Sequence, residues 1–263
     1  GIMTGFSDAG GATGTYNYSG GLLASVEVSS GSHSWAYTYA WIGADVATIT
    51  YLVDGRATLK TVYDYDSGLL ATIKTYQNSA SGTGTPVWGS DPVEAARYSY
   101  HASGLLRHVV PSAEYRQMVV NGIDPGTATM VQLNEYAETE YEYGPGNQVS
   151  RIFTHGRRYE HGFTYTPGSL SGNTFNTWRM KTEVARPGDT VETFFLNGVG
   201  QVILKRIEQK NSSGTVLETW YPVYQKFEED GGARIVLEAA ASAIDASSFS
   251  ESNPALVDLK ADE

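Results

Sequence analysis

The densest group of side chains that could perform acid-base chemistry lies between residues 155 and 161. The run reads His155-Gly156-Arg157-Arg158-Tyr159-Glu160-His161. Alternate side chains of an extended strand share a face. If this segment is extended, one face therefore carries four candidate catalytic residues: His155, Arg157, Tyr159 and His161. Arginine can neutralise a uronate carboxylate while histidine or tyrosine moves a proton, so this set is typical of a lyase that acts on an acidic polysaccharide.

The same run also fits a structural role. A solvated strand or hairpin would pair Arg158 with a neighbouring carboxylate and place Tyr159 in a layer of aromatic side chains. We therefore treat enzymatic activity as an alternative to a structural function. The enzyme hypothesis requires the four side chains to converge in a groove.

Tryptophans provide a second kind of candidate site, because indole rings stack on sugar rings. The candidates for ligand binding are Trp35, Trp88 and Trp178. Trp88 lies in a Ser-, Gly- and Thr-rich insertion, residues 77–90, and loops on a rigid scaffold often bind ligands. Core packing is the alternative for all three.

No metal or cofactor site is predicted. The chain has no cysteine, and its five histidines have no metal-ligand spacing. Glycine-rich phosphate loops, dinucleotide fingerprints and nucleophile elbows are absent from the sequence. Nor does any stretch reach the roughly 18 apolar residues that a membrane-spanning helix requires.

The elements that position these residues are predicted by a repeated phrase. An aromatic residue, any residue and a second aromatic precede a short turn, a glycine and an aliphatic run. The clearest copies begin at Tyr16, Tyr63 and Tyr98, and weaker ones begin at Tyr141, Phe163 and Phe194. Residues 51–55, Tyr-Leu-Val-Asp-Gly, resemble a further degenerate copy. Such internal repetition is typical of arrays of one supersecondary unit.

Each phrase predicts a β-hairpin. Tyr63 and Tyr65 share one face of a strand while Asp64 and Asp66 share the other, and Ser67-Gly68 supplies the turn. A single hairpin cannot bury its apolar face, so neighbouring hairpins must pair. The predicted fold is all-β: an antiparallel sheet built from repeated hairpins over residues 1–235. We find no convincing helical period in this part.

The last residues differ in composition. Residues 227–263 hold nine acidic and two basic side chains, whereas the whole chain has 29 and 18. The run from Leu237 to Ile244 predicts a short helix, and residues 245–263 are typical of a mobile polar tail or linker. We therefore expect a second segment, residues 236–263. The net charge of −11 argues against a nucleic-acid partner.

The repeated phrase resembles the YD repeat of the Rhs (rearrangement hotspot) family. That family also includes the shell subunits of bacterial insecticidal toxin complexes and the animal teneurins. The resemblance covers roughly residues 16–202, and the name describes Tyr65-Asp66 itself. It implies a β-sheet strip that spirals into a hollow or partial shell, within large secreted or cell-surface bacterial proteins. The Asp-Pro-rich self-cleavage segment of toxin-type members has no equivalent here.

Three functions follow from these observations. The first is a structural segment of a large Rhs-like protein, serving as shell, stalk or adhesive surface, with other segments of the same parent protein as its partners. A glycan- or protein-binding module is the second, and a polysaccharide-active enzyme is the third. Unpaired sheet edges would also allow copies of the chain to associate.

Overall fold

Antiparallel strands, most of them paired with the next strand along the chain, make up most of this protein. The structure is a computed structural model and describes residues 2–172, 174–228, 234–253 and 256–260. These residues group into two compact units, Gly1–Glu140 and Tyr141–Glu263. The division lies between Glu140 and Tyr141. The prediction of an all-β fold built from antiparallel hairpins is confirmed.

The first unit is a meander in which β1 to β9 pair in chain order. Its strands are β1 (Gly5–Ser7), β2 (Thr13–Ser19), β3 (Leu22–Ser30), β4 (His33–Ile42), β5 (Asp45–Val53), β6 (Arg56–Asp66), β7 (Leu69–Gln77), β8 (Glu94–Tyr100) and β9 (Leu106–Val110). Strand β10 (Thr139–Tyr143) then pairs with β9 through Thr139 and Glu140.

The second unit repeats this arrangement, with β11 to β17 paired in chain order. Its strands are β11 (Val149–Thr154), β12 (Tyr159–Pro167), β13 (Met180–Arg186), β14 (Thr190–Leu196), β15 (Val202–Lys210), β16 (Val216–Phe227) and β17 (Ile235–Ala239), followed by the short pair β18 (Ile244–Asp245) and β19 (Asp258–Leu259).

Turn chemistry sets the hairpin between β6 and β7. Asp66 is paired with Leu69, so Ser67 and Gly68 form a two-residue loop. Both have positive φ, 53° and 79°. This combination matches the right-handed twist of the flanking strands, and glycine reaches it without steric cost. The Ser-Gly of the phrase therefore ends one strand and starts the next.

Two helices depart from the sequence prediction. They are α1 (Ser112–Val120) and α2 (Met130–Tyr136), inserted between β9 and β10. Thr129 and Gln132 form a capping box at the start of α2. Buried Tyr115, Met118 and Leu133 pack the helices onto Ala95 and Val110 of the sheet. The helices are short and weakly amphipathic, so tertiary packing rather than periodicity determines them. Neither is long and apolar enough to cross a membrane, which holds for every helix of the described residues.

The C-terminal prediction was wrong in two respects. Ile235–Ala239 is a strand paired with β16, so the expected helix from Leu237 to Ile244 does not form. The following segment is no free tail in its described part, because Ile244, Leu256 and Val257 are buried with Phe195, Leu204 and Tyr224. Pairing with the edge of β16 and burial against the sheet outweigh the helix propensity of the alanines.

Candidate functional site

The second aromatic residue of the phrase makes the same hydrogen bond in five places. Its ring donor reaches a backbone carbonyl oxygen in the first two residues of the preceding strand or, for Tyr18, two residues before that strand. The tyrosine hydroxyl to carbonyl distances are 3.1 Å for Tyr18 to Met3, 3.0 Å for Tyr65 to Val46, 2.8 Å for Tyr100 to Leu70 and 3.0 Å for Tyr165 to Val149. Trp41 donates from its indole nitrogen to Leu23 over 2.8 Å. We call this bond the aromatic clasp.

A β-bulge accompanies four of the five clasps. The register shifts between the middle residue of the phrase and the second aromatic, as between Asp64 and Tyr65. Asp64 is opposite Thr72 and Tyr65 is opposite Leu70, which leaves Ala71 as the extra residue of the returning strand. A bulge re-aims a side chain relative to the regular ladder. A bulge at this position thus accompanies the clasps of Tyr18, Trp41, Tyr65 and Tyr100.

Burial affects the ionisation of the clasp tyrosines. Desolvation is the main cause that raises the pKa of Tyr65, Tyr100 and Tyr165 above the ordinary value of 10.0. The phenols stay protonated at neutral pH and act as donors. The clasp is thus a neutral structural contact.

The candidate catalytic run forms the tip of a hairpin. Strand β11 ends at Thr154, which is paired with Tyr159. Between them His155, Gly156 and Arg157 all have positive φ, from 54° to 64°. The run is therefore not extended, and the four candidates do not share one face of a strand. Only Tyr159 and His161 lie on β12 with side chains on the same face.

Three side chains at this tip, those of His155, Arg157 and Tyr159, have local partners. Arg157 donates to Glu142 Oε1 over 3.2 Å, and its guanidinium lies 4.4 Å from the centre of the Phe153 ring. The rings of His155 and Tyr159 meet edge to face at 5.7 Å. These contacts hold the tip against its own hairpin and, through Glu142, against β10.

The three candidate tryptophans lie in different environments. Trp178 is 6% exposed, packs edge to face on Phe195 and donates to the carbonyl of Glu251 over 3.0 Å. It belongs to the core of the second unit and cannot stack on a ligand. Trp35 is part-buried in β4. Trp88 forms an isolated bridge with Asn78, and Lys60 Nζ lies 5.7 Å from its ring centre.

A buried polar cluster in the first unit was not predicted from the sequence. His108 is fully buried, and its Nδ1 lies 2.6 Å from Ser99 Oγ. With its amide nitrogen turned toward the imidazole, Asn134 of α2 donates to His108 Nε2 over 2.7 Å. The imidazole then accepts at Nε2 and donates to Ser99 from Nδ1. Glu140 Oε1 lies 3.4 Å from His108 Nε2 and 3.3 Å from a guanidinium nitrogen of Arg107.

Burial lowers the pKa of the His108 imidazole, while the nearby charge of Glu140 acts in the opposite direction. Ser99, His108 and Glu140 have the residue types of a nucleophile, a base and an orienting acid. Ser99 is only 6% exposed, and none of the described cavities is lined by these three residues. The cluster therefore satisfies buried polar groups beneath α2.

An open groove of about 600 Å³ lies beside α1, lined by residues that include Tyr76, Tyr115, Val119 and Ile123. None of the predicted site residues lines it. Among the described residues, no group of three or more His, Asp or Glu side chains could hold a metal ion.

Sequence reasoning missed two features of these sites. The clasp of Trp41 belongs to a phrase, Tyr39-Ala40-Trp41-Ile42-Gly43, that a search for paired tyrosines passes over. An aromatic-x-aromatic pattern followed by glycine would have found it. The pairing of His108 with Glu140 has no comparable signal, because 32 residues and two helices separate them.

Comparisons with known proteins complete this description. No protein-family model and no curated protein matches the chain. Crystal structures that are similar to it include the following two. For TcdB2-TccC3-Cdc42 the identity is 10% and the TM-score 0.37, over 89% of this chain and 14% of the other. For TcdB2-TccC3-TEV the identity is 12% and the TM-score 0.23, over 87% of this chain and 15% of the other. The chain thus spans about one seventh of the length of either.

Proposed function

We propose that this chain is a structural segment of a larger YD-repeat protein of the Rhs type, serving as part of a shell, stalk or adhesive surface. The aromatic clasp carries the proposal. The phrase that resembles the YD repeat contains, in five copies, the donor that joins one hairpin to the preceding one. Its repetition is explained by hairpin stacking and requires no ligand.

The polar middle residue of the phrase supports the same function. Asp64 accepts from the Thr72 hydroxyl over 2.6 Å and lies 3.6 Å from Lys74 Nζ. Asn17 donates to Ser25 and Glu27 on the neighbouring strand. These contacts link neighbouring strands, as expected for a sheet stabilised by its nearest-neighbour interfaces.

Secretion or exposure at the cell surface is part of the proposal and follows from the resemblance. The partners are then the adjoining segments of the parent protein. Antibodies raised against this chain test both points on cells that produce it. We expect intact cells or the culture medium to be labelled, and an immunoblot band much larger than the 28.4 kDa of the chain. A free 28.4 kDa polypeptide confined to the cytosol would contradict the proposal.

Glycan binding and polysaccharide cleavage are tested separately, on the hairpin tip. Because Arg157 is paired with Glu142 and stacked on Phe153, we expect a glycan array that includes acidic polysaccharides to show no signal that depends on the tip. The controls are Arg157→Ala and Tyr159→Ala. Specific binding or product formation by the unaltered chain that both variants lose would replace the scaffold proposal with a binding or enzymatic one.

A further inference from the structure

The middle of the first unit is a sheet one layer thick. Between residues 22 and 70, a stretch that the structure describes throughout, only Ser25 is buried. Large apolar side chains are left open, with Tyr37 43%, Tyr18 40% and Leu59 37% exposed. An apolar surface of this extent is unusual on a monomeric protein and marks an interaction site.

The exposed rings belong to one face, which we call the aromatic face. Its central row follows the cross-strand register through six strands, β2 to β7: Tyr16, Val26, Tyr37, Tyr51, Leu59 and Gln77. Trp35 and Val53 lie in the row on one side, and Tyr39 and Ile49 lie in the row on the other. The rings of Tyr37 and Tyr51 are in contact, with their centres 5.0 Å apart and their planes tilted by 31°.

Charge is segregated between the two faces. The central row has no charged side chain, and the flanking rows contain one each, Arg56 and Glu94, both the first residue of a strand. Charged residues on the opposite face include Glu27, Lys60, Asp64, Asp66 and Lys74. With a net charge of −11, two copies of the chain repel each other on most surfaces. The aromatic face is where this repulsion is weakest.

Its area suits a dimer. Six strands at about 4.8 Å spacing, with about nine residues at 3.3 Å each, form a face on the order of 850 Å². A stable interface needs about 800 Å² per partner. Two twisted sheets pack face to face about 10 Å apart, their strands within about 30° of each other. Because the central row carries no charge, the face can meet its own copy around a two-fold axis without burying charged side chains at its centre.

We propose that the aromatic face binds the aromatic face of a second copy of this chain, which gives a two-layered sheet. The partner surface is thus the aromatic face of another copy of this chain. The proposal uses the geometry of the first unit alone and goes beyond the structural function proposed above, which stands whether or not the faces pair.

The experiment is sedimentation velocity of the full chain over a range of concentrations, with Tyr37→Lys and the matched control Thr38→Lys. Thr38 is the next residue along β4, is exposed and lies on the opposite face. We expect a dimer whose dissociation constant rises at least tenfold in Tyr37→Lys and stays within about twofold in Thr38→Lys. Circular dichroism verifies that both variants keep their strands.

Disulfide cross-linking is a second test of the proposal, to be used if the Tyr37→Lys variant fails to fold. The chain lacks cysteine, so a single introduced thiol reports contact between copies. We expect Tyr37→Cys to form a disulfide-linked dimer under mild oxidation and Thr38→Cys to remain monomeric. A wild-type monomer at all concentrations would overturn the proposal. So would a dimer that Tyr37→Lys leaves intact, or a monomer that binds a glycan through Tyr37.

Discussion

At the scale of residues, the candidate side chains are engaged in local contacts. Side chains that resemble catalytic groups in the sequence are paired locally, Arg157 with Glu142 and Ser99 with His108. The most demanding of these contacts is His108, because a fully buried imidazole between Arg107 and Glu140 must remain neutral. Burial is the main cause of the lowered pKa of the His108 imidazole.

We expect the unfolding free energy to depend on pH through His108. Its pKa is lowered in the folded chain, so between that value and about 6.5 the unfolded chain binds the proton more tightly. The contribution of His108 is therefore complete above about pH 6.5 and is lost as the pH falls below it. Urea unfolding between about pH 8 and 5 measures this loss.

The controls use two substitutions. A His108→Gln variant should lose part of the pH dependence in this range, whereas His161→Gln, at the end of the hairpin tip, should keep it. An unfolding free energy that rises on acidification, or the same profile in all three proteins, would contradict the assignment.

At the scale of elements, the hairpins of the repeated phrase were predictable from the sequence, whereas the strand Ile235–Ala239 and the turn at residues 155–157 were not. Ser67-Gly68 and Asp54-Gly55 specify turns through residues that tolerate positive φ. The strand Ile235–Ala239 was mistaken for part of a helix, because a run of alanines and leucine carries no signal for the open edge of β16 that it joins. The turn at His155-Gly156-Arg157 was missed for a related reason, since histidine and arginine seldom adopt positive φ.

The C-terminal segment should contribute strongly to the stability of the second unit. Leu256 has no exposed surface and belongs to the cluster of Phe195, Leu204 and Tyr224. Leu256→Ala removes buried methyl groups and should lower the unfolding free energy by about 2–5 kcal/mol. The measurement is the urea or thermal transition of the second unit.

Leu259→Ala is the matched control, because Leu259 lies three residues further on and is 38% exposed. Its effect should be smaller than that of Leu256→Ala by at least about 1.5 kcal/mol. Equal effects would indicate that residues 256–260 do not pack as described.

At the scale of the whole molecule, the fold class could be predicted because the copies of the phrase share an alternation of side chains and a type of turn. The alternation of side chains along a strand determines which residues share a face, and the turn residues determine where each hairpin reverses direction. The acceptors of the clasps could not be predicted, since Val46 and Leu70 are 19 and 30 residues before their donors and contribute only a backbone carbonyl. Any residue type could occupy those positions, so no sequence pattern predicts the contact.

The central claim is that the second aromatic of the phrase joins neighbouring hairpins. It is tested by comparing Tyr→Phe substitutions at the second and first aromatic positions of the same copies. Tyr65→Phe and Tyr100→Phe remove a clasp hydroxyl, and each should lower the unfolding free energy of the first unit by about 1 kcal/mol. Tyr63→Phe and Tyr98→Phe, the matched controls, should change it by less than about 0.5 kcal/mol. Equal losses at both positions, or none at either, would contradict the claim.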